Sequence, residues 1–118
     1  MTITGIDHVQ LAAPPGCEAD ARRFYGGVLG LPELEKPEPL RARGGAWFAL
    51  GEHQLHIGVE DPFAPARKAH VALQVPPGEL DALAARLDPV TWDEALPGVR
   101  RFFTADPWGN RLEILEGA

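Results

Sequence analysis

Apolar residues follow two periods along this chain, and the two periods alternate in the same order twice. Between Cys17 and Leu31, Ala21, Phe24, Tyr25, Val28 and Leu29 fall at i, i+3, i+4, i+7 and i+8, the stripe of one amphipathic helix. Leu80, Leu83, Ala84 and Leu87 repeat that spacing and predict a second helix. Ahead of each helix stands a segment with a period of two. His8, Gln10 and Ala12 share one face there and Val9, Leu11 and Ala13 the other; in the second copy His70, Ala72 and Gln74 oppose Val71, Leu73 and Val75. The segments are near copies, HVQLAAPPG at 8–16 and HVALQVPPG at 70–78, and Pro-Pro-Gly marks the exit from each strand.

Three short strand candidates follow each helix. They are Leu34 to Lys36, Ala46 to Leu50 and Gln54 to Val59 in the first half, and Val90 to Asp93, Arg100 to Thr104 and Arg111 to Leu115 in the second. Turns with Gly44-Gly45, Gly51, Pro97-Gly98 and Asp106-Pro107-Trp108-Gly109-Asn110 divide them. Each half therefore predicts βαβββ: module one over 3–59, a join over 60–66 that carries Pro62 and Pro65, and module two over 67–116. A single helix covers one face of such a sheet, and pairing two modules covers the other. The expected fold is α+β, two tandem βαβββ modules forming a cupped, barrel-like mixed sheet with the helices outside, in one domain over residues 1–118.

Composition narrows the partners. A chain of 118 residues, 45% hydrophobic, suits one globular domain, and a formal charge of −6 with eleven scattered basic residues excludes an electrostatic footprint for nucleic acid. The start MTITGIDHV lacks the basic segment and apolar core of a signal peptide, and no apolar run approaches the roughly 20 residues of a membrane span. A soluble, cytoplasmic protein with no membrane partner is expected. Cys17 is the single cysteine and cannot form an internal disulfide.

The polar residues on the inner strand faces carry the chemistry. Both repeated strands turn a histidine, His8 and His70, away from their larger apolar face. In the last strand of each half, Leu55 and Ile57 flank His56 while Leu112 and Ile114 flank Glu113. Four strands thus each offer one ligand-type side chain to the concave side: His8, His56, His70 and Glu113. Neutral imidazole and carboxylate are donors for divalent metals, and a cation removes the cost of an unmatched buried carboxylate. One divalent ion, of zinc, nickel, manganese, cobalt or iron, is the expected cofactor. His53 lies an odd number of residues from His56, by the Gly51-Glu52 turn, and is set aside as a surface histidine. Lys68 shares the face of His70, and Arg43, Arg101 and Trp47 lie on or beside middle strands; these four are the candidate substrate contacts, the cations suiting an anionic group.

Several motifs resemble the vicinal oxygen chelate superfamily, the glyoxalase I, fosfomycin-resistance and extradiol dioxygenase group. They are Ile6-Asp7-His8-Val9, Phe24-Tyr25 with Leu29-Gly30-Leu31, Ala69-His70-Val71, and Asp106-Pro107-Trp108-Gly109-Asn110-Arg111-Leu112-Glu113, and the resemblance spans nearly the whole chain. It implies paired modules around a metal whose ligands come from first and last strands. His8, His70 and Glu113 then fall on the two-histidine, one-glutamate pattern of the fosfomycin-type and dioxygenase-type members. His56 falls where glyoxalase I-like enzymes place glutamate and epimerase-like ones glutamine, as a fourth ligand or a neutral base beside the metal. His56 and Glu113 are accordingly the catalytic candidates. The implied activity is that of a metal-dependent enzyme on a small molecule chelated through adjacent oxygens: a glyoxalase-like isomerase or lyase, a thiol transferase or an extradiol-type dioxygenase. The contrasting reading is a binding protein of the bleomycin-resistance type, which sequesters a small molecule without catalysis. The resemblance also implies a homodimer.

Overall fold

The strand β1 (His8–Ala13) buries Leu11 and Ala13 and leaves His8 and Gln10 exposed, which is the alternation its sequence predicts. The computed structural model describes residues 2–117 and divides into two units, one running to Ala64 and one from Pro65. In the first unit β1 pairs in parallel with β4 (His53–Val59), β4 antiparallel with β3 (Ala46–Leu50), and β3 antiparallel with β2 (Glu33–Leu34), giving the order β1-β4-β3-β2. A parallel pair cannot be joined by a tight turn, so the chain between β1 and β4 must cross over. Part of that connection is helical and packs on the sheet. Ala21 and Tyr25 are fully buried with Phe48, Leu55 and Ile57, the inward residues of β3 and β4. The Tyr25 and Phe48 rings lie 6.0 Å apart.

The predicted helix over Cys17 to Leu31 takes an unexpected form. One turn of α-helix, α1 (Glu18–Ala21), passes into a π-helical segment at Arg22–Val28, closed by a hydrogen bond from Leu29 N–H to Phe24 O. Gly26 and Gly27 lie within it and weaken the α-helical alternative there. The wider turn keeps Tyr25 inward, while Phe24, Val28 and Leu29 stay partly exposed. A short helix the periodicity does not predict, α2 (Glu38–Arg41), follows Pro37 and has a proline in its first turn. Gly45 (φ 86°) then admits the chain into β3, because a Cβ there would lie 2.0 Å from the carbonyl oxygen of Ile57.

The second unit repeats the topology. β5 (Val71–Val75) pairs in parallel with β8 (Arg111–Glu116), and β7 (Arg101–Ala105) and β6 (Thr91–Asp93) extend the sheet antiparallel, in the order β5-β8-β7-β6. Its helix α3 (Leu80–Ala84) stops short of Leu87, ahead of Asp88-Pro89, and buries Leu80; Leu73, Phe102, Leu112 and Ile114 complete the inner face. Each unit is thus one βαβββ module, and the chain is two of them in tandem. The Asp106–Asn110 turn holds the head of β8. The Asp106 carboxylate accepts from Trp108 N, Asn110 N and Asn110 Nδ2 at 2.9–3.1 Å, and Asn110 Oδ1 in turn accepts from Ala66 N at 2.9 Å. Among the described residues no helix is long and apolar enough to cross a membrane.

Candidate functional site

The register of the first sheet places His8 opposite Gln54, Gln10 opposite His56, and Trp47 opposite His56, so these side chains share the face that the helical segment does not cover. His56 lies between two rings. Trp47 stacks on one side with centroids 3.8 Å apart and planes 2° from parallel, and His8 on the other at 4.2 Å and 19°. Gln54 Oε1 accepts from His56 Nε2 at 2.8 Å, which fixes the proton on that nitrogen and leaves Nδ1 with a lone pair. At 5% exposure, burial pushes the His56 pKa below the ordinary imidazole value, and the neighbouring His8 adds to the effect. His8 Nδ1 faces Asp7 Oδ1 at 2.9 Å, which leaves its Nε2 as the outward donor.

On the second sheet Glu113 stands opposite Ala72 on one side and Phe103 on the other, and His70 immediately precedes β5 on the same face. His70 Nε2 lies 3.0 Å from Glu113 Oε1, and His70 Nδ1 donates to the Lys68 carbonyl at 3.0 Å. Arg101 Nη1 donates to Glu113 Oε2 at 3.1 Å, while its Nη2 reaches Asp93 Oδ2 at 3.4 Å. Burial raises the pKa of Glu113, but the hydrogen bonds from Arg101 and His70 outweigh it and hold the carboxyl below its usual range. The Phe103 ring joins the group: His70 meets it edge-on at 5.5 Å, and the Arg111 guanidinium lies 3.9 Å over it.

The four sequence-predicted ligands therefore stand as two pairs, His8 with His56 and His70 with Glu113, one pair in each unit. Among the described residues no group of three or more histidine, cysteine, aspartate or glutamate side chains is assembled to hold a metal ion. Each pair can be tested for fit. Two donors at right angles, each about 2.1 Å from one ion, stand about 3.0 Å apart, and that is the spacing of His70 Nε2 and Glu113 Oε1. His70 also follows the rule for metal-binding imidazoles, in which the second ring nitrogen is anchored on a carbonyl or carboxylate, and His8 on Asp7 does the same. Arg101 occupies Oε2 of Glu113, so Oε1 is left to His70 Nε2. The stacked pair sets a limit. The lone pair of an imidazole nitrogen lies in the ring plane, and a single ion cannot lie in two nearly parallel planes, so as the rings stand His8 and His56 cannot both hold one ion. His8 has the free Nε2.

The other candidates divide. Trp47 covers His56, Arg101 clamps Glu113, and Arg43 lines a small cavity beside Trp47. Lys68 is exposed and takes part through its backbone carbonyl. His53 opens β4 with its side chain exposed. Gln54, Asp7 and Asp93 escaped the sequence reading. For Gln54 the signal was present, since it sits two residues before His56 and so on the same face.

No protein-family model and no curated protein matches the sequence. Solved structures do. A glyoxalase family protein from Bacillus anthracis is 46% identical, covering 100% of this chain and 98% of its own, with a TM-score of 0.90. The lactoylglutathione lyase of Agrobacterium tumefaciens is 22% identical over 99% of this chain and 96% of its own, at a TM-score of 0.72. The fosfomycin resistance protein FosX of Listeria monocytogenes is 18% identical over 99% and 94%, also at 0.72. At those identities the last two speak for the fold alone.

Proposed function

The chain belongs to the glyoxalase family of the vicinal oxygen chelate superfamily, and on that footing we propose that it is a metal-dependent enzyme acting on a small molecule chelated through adjacent oxygens. The observation that carries this reading is the His70–Glu113 pair, a nitrogen and an oxygen donor at 3.0 Å with the far side of each already anchored. His8 is the third donor, from the same chain or from a second copy in a homodimer. When bound, the ion supplies Lewis acidity toward a substrate oxygen.

The chain's own residues do the rest. The Lys68 carbonyl accepts from His70 Nδ1 and so orients the ring, leaving Nε2 toward Glu113, where a bound ion would take the place of the proton between them; Arg101, itself tied to Asp93, fixes the rotamer of Glu113. The charge of Arg101 is taken up by Glu113 and Asp93, while Arg111 sets a second cation over Phe103, which suits an oxygen-rich, anionic molecule. His56 is held by Trp47 and Gln54 with Nδ1 unprotonated, poised to take a proton from bound substrate.

Elemental analysis of protein purified without chelators, followed by turnover screens with each metal, tests the reading. Mixing His8→Ala chains with Glu113→Ala chains tests where the third donor originates. Restored metal sites in the mixed dimer indicate donors shared between two chains, and no restoration in proven heterodimers indicates that each chain supplies its own.

A further inference from the structure

The first unit holds a second feature that the metal chemistry leaves unused. A cavity of about 160 Å³ opens beside Trp47, with Lys36, Arg43 and Gln10 among its lining residues and Leu40, Trp47 and Val59 as apolar walls. Acidic residues outnumber basic ones 17 to 11 in this chain, yet no carboxylate lines this cavity. Glu18 comes up beside Gly44, where a Cβ would stand 3.0 Å from its Oε2, and that oxygen is taken by Gly45 N–H at 2.6 Å.

Three kinds of donor converge. The Lys36 ammonium gives one hydrogen bond to the Gly44 carbonyl and keeps its other protons. The Arg43 guanidinium has no ion pair or hydrogen bond among the described residues. The Gln10 amide lies across Gly58, so closely that a Cβ at Gly58 would stand 2.7 Å from Gln10 Nε2. The cavity is also far smaller than the roughly 300–1,000 Å³ that encloses a whole drug-sized ligand, so it fits one end of a molecule.

We propose that this cavity is an oxyanion subsite, taking the phosphate-like or carboxylate end of a small molecule with Lys36, Arg43 and Gln10 as its donors. The apolar walls lower the local dielectric and strengthen charge-assisted hydrogen bonds to such a group. Trp47 is shared: its indole forms one wall and its face covers His56, so an anion held here lies next to the proposed proton carrier. The use of the subsite for substrate rests on the metal-dependent reading, whereas the anion site itself does not.

The test uses the full chain stripped of metal, titrated with inorganic phosphate and separately with acetate, and followed by the amide and indole resonances in ¹H–¹⁵N spectra. The expected result is saturable shifts at Trp47, Gly44 and Gly58 with at least one of the two anions. Phosphate binding more tightly assigns a phosphate-like end, and acetate binding more tightly a carboxylate. Lys36→Met and Arg43→Gln should each weaken binding by about tenfold. Gly58→Ala leaves both cations in place but displaces the Gln10 amide, and should weaken binding by a smaller factor. Shifts that do not saturate, that scatter over the surface, or that survive the Lys36 and Arg43 changes would overturn the proposal. Because no metal is present, that failure is distinct from a failure to bind metal.

Discussion

Trp47 lies flat on His56, with ring centroids 3.8 Å apart and planes 2° from parallel. With His8 stacked on the opposite face and Gln54 on Nε2, the imidazole has one orientation and one free nitrogen. That arrangement suits a proton carrier better than a ligand sharing an ion with His8.

The mutational consequence is a split between two histidines. His56→Gln should change metal affinity by no more than the roughly 10- to 100-fold of a residue that supports a ligand, while turnover falls by about 10²- to 10⁴-fold. His8→Ala should lose the ion. Calorimetric metal titration and turnover on the same two proteins check this, and loss of metal in His56→Gln to the extent seen in His8→Ala would make His56 the ligand.

Asp106 is a stability residue despite lying seven positions from Glu113 in the sequence. Its buried carboxylate accepts three hydrogen bonds within the turn that also holds Ala66 through Asn110. Asp106→Ala leaves those donors without their acceptor and should cost about 2–4 kcal/mol. Urea denaturation measures it.

The strands were legible because a sheet with one buried face imposes a period of two. Leu11 and Ala13, Leu55 and Ile57, and Leu112 and Ile114 all point inward as their alternation requires. The positions of His8, His56, His70 and Glu113 on the open faces were legible for the same reason, but their division into the pairs His8–His56 and His70–Glu113 was not, since the pattern pointed to one set of four. The π-helical segment was hidden because the apolar stripe through Ala21 and Tyr25 tolerates either turn width. Helix α2 is too short to show a period, and the cations of the cavity, Lys36 and Arg43, stand on its flanking loops, which have none. The hydrogen bond from His56 to Gln54 depends on rotamers, which no pattern of residue types specifies.

Glu18 gives the fold a pH dependence. The Gly45 N–H, 27 residues away, donates to its carboxylate, and this bond outweighs the opposing effect of burial to hold its pKa below the usual value. With the folded pKa below the unfolded one, the contribution is fully present above the unfolded value of about 4.3 and is lost as the pH falls through the lower folded value. Glu18→Gln keeps an acceptor without the charge and should cost about 1 kcal/mol at neutral pH, the group being partly solvated. The gap from wild type should shrink on acidification, as denaturation curves at about pH 7 and about pH 3 would record.

In the proposed metal site His70 and Glu113 supply two of the three donors. Calorimetric titration of chelator-stripped protein with manganese, iron, cobalt, nickel and zinc, beside His70→Ala protein whose circular dichroism is unchanged, tests it most directly. One tightly bound ion per set of His8, His70 and Glu113 is expected in the wild type and none in the folded variant, since the apolar cores around Phe48 and Phe102 do not depend on the ion. Wild-type protein that binds none of these ions, or His70→Ala protein that binds them as tightly as wild type, would contradict it.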